Sequence, residues 1–347
     1  MDEKYRNLLI KQQYRIYNDH AAVKLCHWMK ESMVRGRTCY KQDFYGIQSH
    51  RCLQMTPAIN ECSHMCQFCW RVQNNDFEVK DWAEPKDMLD HLIEMQRSLI
   101  TGFNGDSRVS KEMYAEAREP NQVAISLAGE PITYPYLSDF LKECHSRKMM
   151  TFLVTNGTYP ERLAELDELP RQLYITVAAP NEEVYKKTCR PKISNGWQQI
   201  MKTLELLPSL DTRTVIRHTL VKDMNLGWVD EYAKLDNIGQ PDLIEPKGYV
   251  FVGSSRTHHY RPLDSSPNDI AVQDIGIRET HLQTRIGGNA TSNIDSPNIS
   301  VIHIHVFNNA LIFFCHRCRI KHGITTKSTV GDIEVHNSAL PLSNDLE

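Results

Sequence analysis

Three cysteines fall within eight residues, Cys62-Ser63-His64-Met65-Cys66-Gln67-Phe68-Cys69, in the spacing C-x3-C-x2-C. Three thiolates this close can grip three irons of a cubane [4Fe-4S] cluster. A cluster that only carries electrons usually has four cysteine ligands. Three ligands leave one iron open to a substrate. The competing reading is a zinc knuckle, or three unrelated buried cysteines. Zinc knuckles set a C-x2-C against a second pair or against histidines at a fixed distance, and no such partner stands nearby.

Three more cysteines lie upstream. Cys26, Cys39 and Cys52 are each thirteen residues apart, a period of neither helix nor strand. By themselves they allow two readings: separate buried cysteines acting as small core hydrophobes, or a second three-cysteine cluster. Lys41 follows Cys39 by two residues in the cationic run Arg35-Gly36-Arg37-Thr38-Cys39-Tyr40-Lys41. A lone lysine of this kind usually stays solvated or meets a phosphate. Near the end, Cys315-His316-Arg317-Cys318 with His322 close by is compatible with zinc but lacks a second pair.

The elements that must position these residues follow from periodicity. Residues 6 to 33 read as one long helix, with apolar residues from Leu8 to Met29 near helical spacing. Leu53 to Ile59 is a short strand that runs straight into the cysteine loop. Strands and helices then alternate. Strands are expected at Gln122 to Ala128, Met150 to Thr155, Gln172 to Ala178, Arg213 to Val221 and Leu243 to Val252. Between them lie helices such as Pro85 to Ile100 and Pro135 to Arg147. This order predicts an α/β protein with a parallel sheet, and about six strands predict an open, partial (β/α)6 barrel. In such sheets chemistry sits at the carboxyl ends of the strands. The cysteine loop, Gly129-Glu130-Pro131 and Asn156-Gly157 all fall there. Asn156-Gly157 is equally readable as a plain β-turn. From Gly253 onward the composition shifts to His, Ser, Asn and Thr, with strand-like runs between Ile299 and Phe314.

The bulk numbers set the class. The chain has 347 residues, 41% hydrophobic and 24% charged, as expected of a protein with a substantial core. It contains no run of 18 apolar residues, and its polar N-terminus predicts a cytoplasmic protein without a membrane span. In that compartment ten cysteines point to metal or redox chemistry and not to disulfides. A net charge of -3 leaves any nucleic-acid partner to be met by a local basic patch.

The C-x3-C-x2-C spacing is that of radical S-adenosylmethionine (radical SAM) enzymes. Residues 1–253 resemble the archaeal-type tRNA 4-demethylwyosine synthases of that superfamily. The resemblance is carried by Cys26, Cys39, Lys41, Cys52, the run Glu61 to Arg71, Ser126-Leu127-Ala128-Gly129-Glu130-Pro131, Leu153 to Gly157 and Ile244-Glu245-Pro246-Lys247-Gly248-Tyr249. It implies that Cys62, Cys66 and Cys69 hold the cluster that binds S-adenosylmethionine. It implies a second [4Fe-4S] cluster on Cys26, Cys39 and Cys52, the two clusters facing one cavity. It implies a partial barrel over 54–253, an N-terminal helical extension over 1–53 carrying the second cluster, and a divergent tail over 254–347. The activity it implies condenses N1-methylguanosine, next to the anticodon of tRNA(Phe), with two carbons of pyruvate.

On that resemblance, Phe68, Gly129, Glu130 and Asn156 bind the cofactor, and Lys41 is the catalytic lysine, able to form a Schiff base with the ketone. The open iron of the second cluster competes for the same ketone. Arg35, Arg37, Arg51 and Arg71 are the expected tRNA contacts. With no flavodoxin-like domain in the chain, electrons are expected from a separate donor protein, and the enzyme is expected to be a monomer. From Ser254 the helix and strand expected to close the domain do not follow. Two other readings stay open: another radical SAM RNA-modifying enzyme, or a zinc-dependent RNA-binding module.

Overall fold

The structure, a computed structural model, describes residues 1–73 and 76–257, together with the backbone of strands 301–307 and 310–315. The strands are β1 (Arg15–Tyr17), β2 (Ala21–Val23), β3 (Cys52–Thr56), β4 (Gln122–Ile125), β5 (Met150–Thr155), β6 (Gln172–Thr176), β7 (Arg213–Leu220), β8 (Leu243–Gly248), β9 (Val301–Phe307) and β10 (Ala310–Cys315). They form one sheet in the order β1-β2-β3-β4-β5-β6-β7-β8-β10-β9. From β3 to β8 every pairing is parallel, giving the six strands of the expected partial barrel. The β1–β2 hairpin extends one edge and β10–β9 the other, both antiparallel. The zinc-like motif begins at Cys315; His316, Arg317, Cys318 and His322 lie outside the described residues.

The helices are α1 (Glu3–Lys11), α2 (His27–Arg35), α3 (Tyr40–Tyr45), α4 (Pro85–Leu99), α5 (Lys111–Ala117), α6 (Leu137–Ser146), α7 (Pro160–Ala164), α8 (Glu182–Cys189), α9 (Gly196–Leu206) and α10 (Val229–Gly239). None of the described helices is long and apolar enough to cross a membrane. The crossover helices cover the outer face of the sheet. Met88, Leu89 and Leu92 of α4 and Phe140 and Leu141 of α6 are fully buried in one cluster with Leu53, Met55, Val123, Ile125 and Leu153. Each such side chain contributes about 1.5–3 kcal/mol through burial. The alternate residues of the same strands face inward. Phe152, Tyr174, Val215 and Leu243 form a small apolar floor closed by Ile47 and Tyr45.

The long N-terminal helix expected over 6–33 is not there. Helix α1 stops at Lys11, the β1–β2 hairpin intervenes, and α2 starts at His27. Gln13, Asn18 and Asp19 have φ of 67°, 45° and 59°, which no α-helix accommodates. Asn and Asp tolerate that conformation better than most residues, so Asn18-Asp19 turns a hairpin. Ala21, Ala22 and Val23 are then fully buried as a strand paired with Met55 and Thr56.

One histidine ties this hairpin to the barrel. His20 is fully buried; its Nδ1 lies 2.7 Å from the Pro57 carbonyl, and its Nε2 accepts the Ala83 N–H at 2.9 Å. The two bonds fix a neutral ring protonated on Nδ1, and burial lowers its pKa from 6.5. A base with a depressed folded pKa takes up its proton more readily when unfolded. Stability is therefore lost as pH falls below the unfolded value, until the folded pKa is passed. Replacing His20 with Ala should cost about 2–4 kcal/mol at pH 7, and the difference from wild type should shrink at pH 5.5, as urea unfolding would show.

Candidate active site

The C-x3-C-x2-C loop follows β3 and is held against the end of α8 by the backbone. Met65 N–H donates to the Cys189 carbonyl at 3.0 Å, Gln67 N–H to Thr188 at 2.9 Å, and Lys192 N–H to Ser63 at 2.8 Å. A bridge between His64 and Pro191 completes this short antiparallel contact. His64 is buried beneath it, with Nε2 2.6 Å from the Tyr185 hydroxyl, and burial pushes its pKa down to about 3. It is a neutral structural ring.

All three thiols of the motif have raised pKa values. Burial is the main cause at Cys62 and Cys69; at Cys66 a hydrogen bond with Cys189 comes first. Such sulfurs stay protonated unless a cation takes the thiolate. Soft thiolates select iron–sulfur clusters, copper(I) or zinc. The donor set therefore fits a cluster held by Cys62, Cys66 and Cys69. Cys189 was not foreseen: its sulfur lies within 4.8 Å of ligand atoms of Cys66 and His64. Only the tertiary contact between the loop and α8 reveals it.

The neighbouring strand ends converge on the same place. Asn156, just after β5, donates from Nδ2 to Ser63 Oγ at 2.8 Å, and its backbone N–H donates to Glu130 Oε2 at 2.9 Å. Asn156 Nδ2 also lies 3.7 Å from Cys62 Sγ. Glu130 is buried, and burial pushes its carboxyl up to about 7. Gly129 adopts φ 69°, and a Cβ there would meet the Ala58 carbonyl oxygen at 1.9 Å. Cys62, Gly129, Glu130, Asn156 and Phe68 line a cavity of about 440 Å³, whose wall also includes Arg217 and Lys247.

The second cysteine set has a different address. Cys26 precedes α2, Cys39 precedes α3, and Cys52 opens β3. Cys39 and Cys52 are within electrostatic reach of each other and of Cys26, and burial raises both. The three cysteines thus converge, but near the amino-terminal ends of the strands. Lys41 comes with them. Its amine lies 4.1 Å above the Phe152 ring and 4.9 Å from that of Tyr174, and burial lowers its pKa. Neither Lys41 nor this cysteine set is on the cavity wall. Cys26 and Cys39 are nevertheless within electrostatic reach of Lys247 on that wall, and Cys26 also of Arg71.

A polar pair neighbours Lys41 and reaches the cavity wall. Arg217 donates from Nε and Nη2 to Glu245 Oε2 at 2.8 and 2.7 Å, stacks 4.7 Å from Tyr174, and reaches the Tyr40 hydroxyl at 3.2 Å. The sequence places both residues on inward positions, but nothing in it marks them as partners.

The four arginines do not form one patch. Arg35 and Arg37 are exposed and share Glu31, at 2.9 and 3.7 Å. Arg51 lies at the base of β3 and donates to the Glu119 carbonyl at 2.8 Å. Arg71 is buried, stacked 3.2 Å from the Trp70 ring and bonded to the Tyr14 hydroxyl at 2.8 Å. Its burial does not suit a phosphate contact.

The radical SAM superfamily signature matches residues 56–235. An S-adenosyl-L-methionine-dependent tRNA 4-demethylwyosine synthase from Pyrococcus abyssi is 48% identical over 262 residues, covering 74% of this chain and 77% of that protein. The human synthase TYW1 is 40% identical over 255 residues, 72% of this chain but only 34% of the human protein. A solved structure of TYW1 with a lysine–pyruvate adduct bound superposes with a TM-score of 0.75 at 31% identity, covering 91% of this chain and 97% of the other.

Two glycine substitutions should separate rigid from yielding surroundings. At Gly129 the obstacle is a backbone carbonyl, whereas at Gly157, with φ 75°, it is the Ile175 methyl at 3.0 Å. Gly129→Ala should cost about 3–5 kcal/mol and Gly157→Ala about 1–2 kcal/mol, read from urea unfolding.

Proposed function

The chain belongs to the radical SAM superfamily and, within it, to the tRNA 4-demethylwyosine synthases, and from there we propose that it condenses N1-methylguanosine of tRNA(Phe), beside the anticodon, with pyruvate as a carbon–carbon lyase. The observation that carries this reading is the convergence of Cys62, Cys66 and Cys69 with Glu130 and Asn156 on one cavity wall. Cys62, Cys66 and Cys69 would hold the first [4Fe-4S] cluster, and Cys26, Cys39 and Cys52, in the extension over 1–53, the second. With S-adenosylmethionine, the first cluster supplies a radical strong enough to take hydrogen from a methyl group.

The protein's own groups bind, orient and shield. Glu130, its carboxyl near neutrality, accepts an ammonium group when ionised. Asn156 holds Ser63 beside the cluster loop, and Phe68 offers an apolar face for adenine. Gly129 permits the close backbone approach that lets Glu130 point inward. Lys41 attacks the pyruvate ketone as a free amine, forms the C=N bond and releases water. Its position over two aromatic rings and its depressed pKa favour that neutral form. The lysine–pyruvate adduct seen in the TYW1 structure supports this role over chelation of the ketone by the second cluster.

The guanine must leave the anticodon stack to reach a cavity of this depth. Arg35 and Arg37, which are exposed, would meet tRNA phosphates; Arg51 is bonded to the Glu119 carbonyl and Arg71 is buried. Electrons would come from a separate donor protein, to a monomer working in the cytoplasm.

Anaerobic reconstitution should give about eight irons per chain, against about four for a single cluster, while zinc alone would defeat the radical reading. The reconstituted protein should convert N1-methylguanosine tRNA with pyruvate and dithionite to the tricyclic base by mass spectrometry. Lys41→Met should keep its iron yet lose both this product and borohydride-trapped pyruvate. Affinity for S-adenosylmethionine should rise ~10-fold from pH 6 to pH 8 as Glu130 ionises, and Glu130→Gln should flatten that profile.

A further inference from the structure

Trp70 directly follows the last cysteine of the motif, yet it has no part in the reaction as derived so far. Among the described residues, three of the large apolar side chains left exposed line the cavity: Trp70 at 43%, Val250 at 40% and Val252 at 37%. Single exposed apolar residues need no explanation, but a group of them around a cavity marks a place where something docks.

The ring is fixed from behind. The Arg71 guanidinium lies 3.2 Å from its centroid, and Arg71 is itself buried and bonded to the Tyr14 hydroxyl at 2.8 Å. The backbone is clamped as well. Ser254 N–H donates to the Trp70 carbonyl at 3.0 Å. A Cβ on Gly253, whose φ is 59°, would meet that carbonyl oxygen at 2.5 Å. With one face under the guanidinium, the open part of the ring lies on the other face and the edges. A cation stands in the same turn: Arg256 is exposed and donates from Nε to the Phe251 carbonyl at 3.2 Å. Single-stranded nucleic-acid sites have this composition, with bases stacked on aromatic plates and cations on the phosphates.

We propose that Trp70 is the platform on which a tRNA base stacks, namely the anticodon base adjoining the reacting guanine. This rests on the reading of the chain as an enzyme that modifies a guanine of tRNA. The guanine must enter the cavity to bring its methyl group to the cysteine loop. Its departure strips the adjoining base of a stacking partner. Trp70, one residue beyond Cys69 and open to solvent, supplies a replacement. The stack offsets part of the cost of unstacking and holds the guanine's place in the loop empty. Trp70 is thus a positioning residue.

The test uses the reconstituted protein, without pyruvate so that no turnover intervenes. The probe is N1-methylguanosine tRNA in which 2-aminopurine, dark when stacked and bright when not, replaces the adjoining anticodon base. On wild type the probe should stay dark. On Trp70→Leu it should brighten, and the tRNA Kd should rise ~10–100-fold, the loss of one base–aromatic stack. Trp70→Phe, which keeps a flat ring, should keep the probe dark and hold the Kd within about threefold of wild type. Iron content and affinity for S-adenosylmethionine should match in all three proteins.

A bright probe on wild type would overturn the assignment whatever the variants do. So would a Trp70→Leu complex as dark and as tight as wild type, or equal losses in Trp70→Phe and Trp70→Leu. If Trp70→Leu loses iron, photocrosslinking on wild type decides, with 5-iodouridine at the probe position. Attachment at Trp70 upholds the platform, and attachment only elsewhere overturns it. If wild type binds no such tRNA, the tRNA reading itself fails and takes the platform with it; binding with a bright probe removes the platform alone.

Discussion

The parallel register between β7 and β8 sets Arg217 opposite Glu245, and the interior is organised around that ion pair. Glu245 is almost wholly buried. Breaking such a pair by losing one member typically costs about 3–5 kcal/mol, because a buried charge is left alone. A one-residue slip of register would turn Arg217 and Glu245 toward the apolar helices and bring Ile216 and Ile244 inward. The pair therefore locks the barrel in one alignment. Arg217 also adjoins Tyr174 of the aromatic floor and lines the polar cavity.

The chemistry of the cavity depends on sulfur that is costly to ionise. The cysteine loop is pressed onto the end of α8 by backbone bonds, which bury its thiols and raise their pKa values. Burial that disfavours a lone thiolate favours one bound to a metal, since the metal supplies the missing charge. Glu130 follows the same logic with opposite effect. Its burial brings a carboxyl close to neutrality, where a bound ammonium decides its state. The site thus gains affinity for cationic partners by withholding water from its anions.

Several residues change meaning once the chain is folded. Arg71, a cation beside a cysteine motif, reads in sequence as a phosphate contact. In the fold it is a buried plate between Trp70 and Tyr14, with Nε and Nη2 lacking hydrogen-bond partners among the described residues. Tyr14, Ile16 and Val23 mimic helical spacing, but Asn18 and Asp19 in left-handed conformations break the run into a hairpin. Short amphipathic segments carry both periods, so the turn residues, and not the apolar ones, settle the choice.

The sequence alone determined the reactive motif, the alternation of strands and helices, and the strand ends where Glu130 and Asn156 stand. Those are local properties, written in spacing and in period. The depth of Lys41, the Arg217–Glu245 pair and the approach of Cys189 to Cys66 were decided by tertiary structure. Each joins residues from different strands or helices, and only the register of the sheet fixes which inward side chains share a layer.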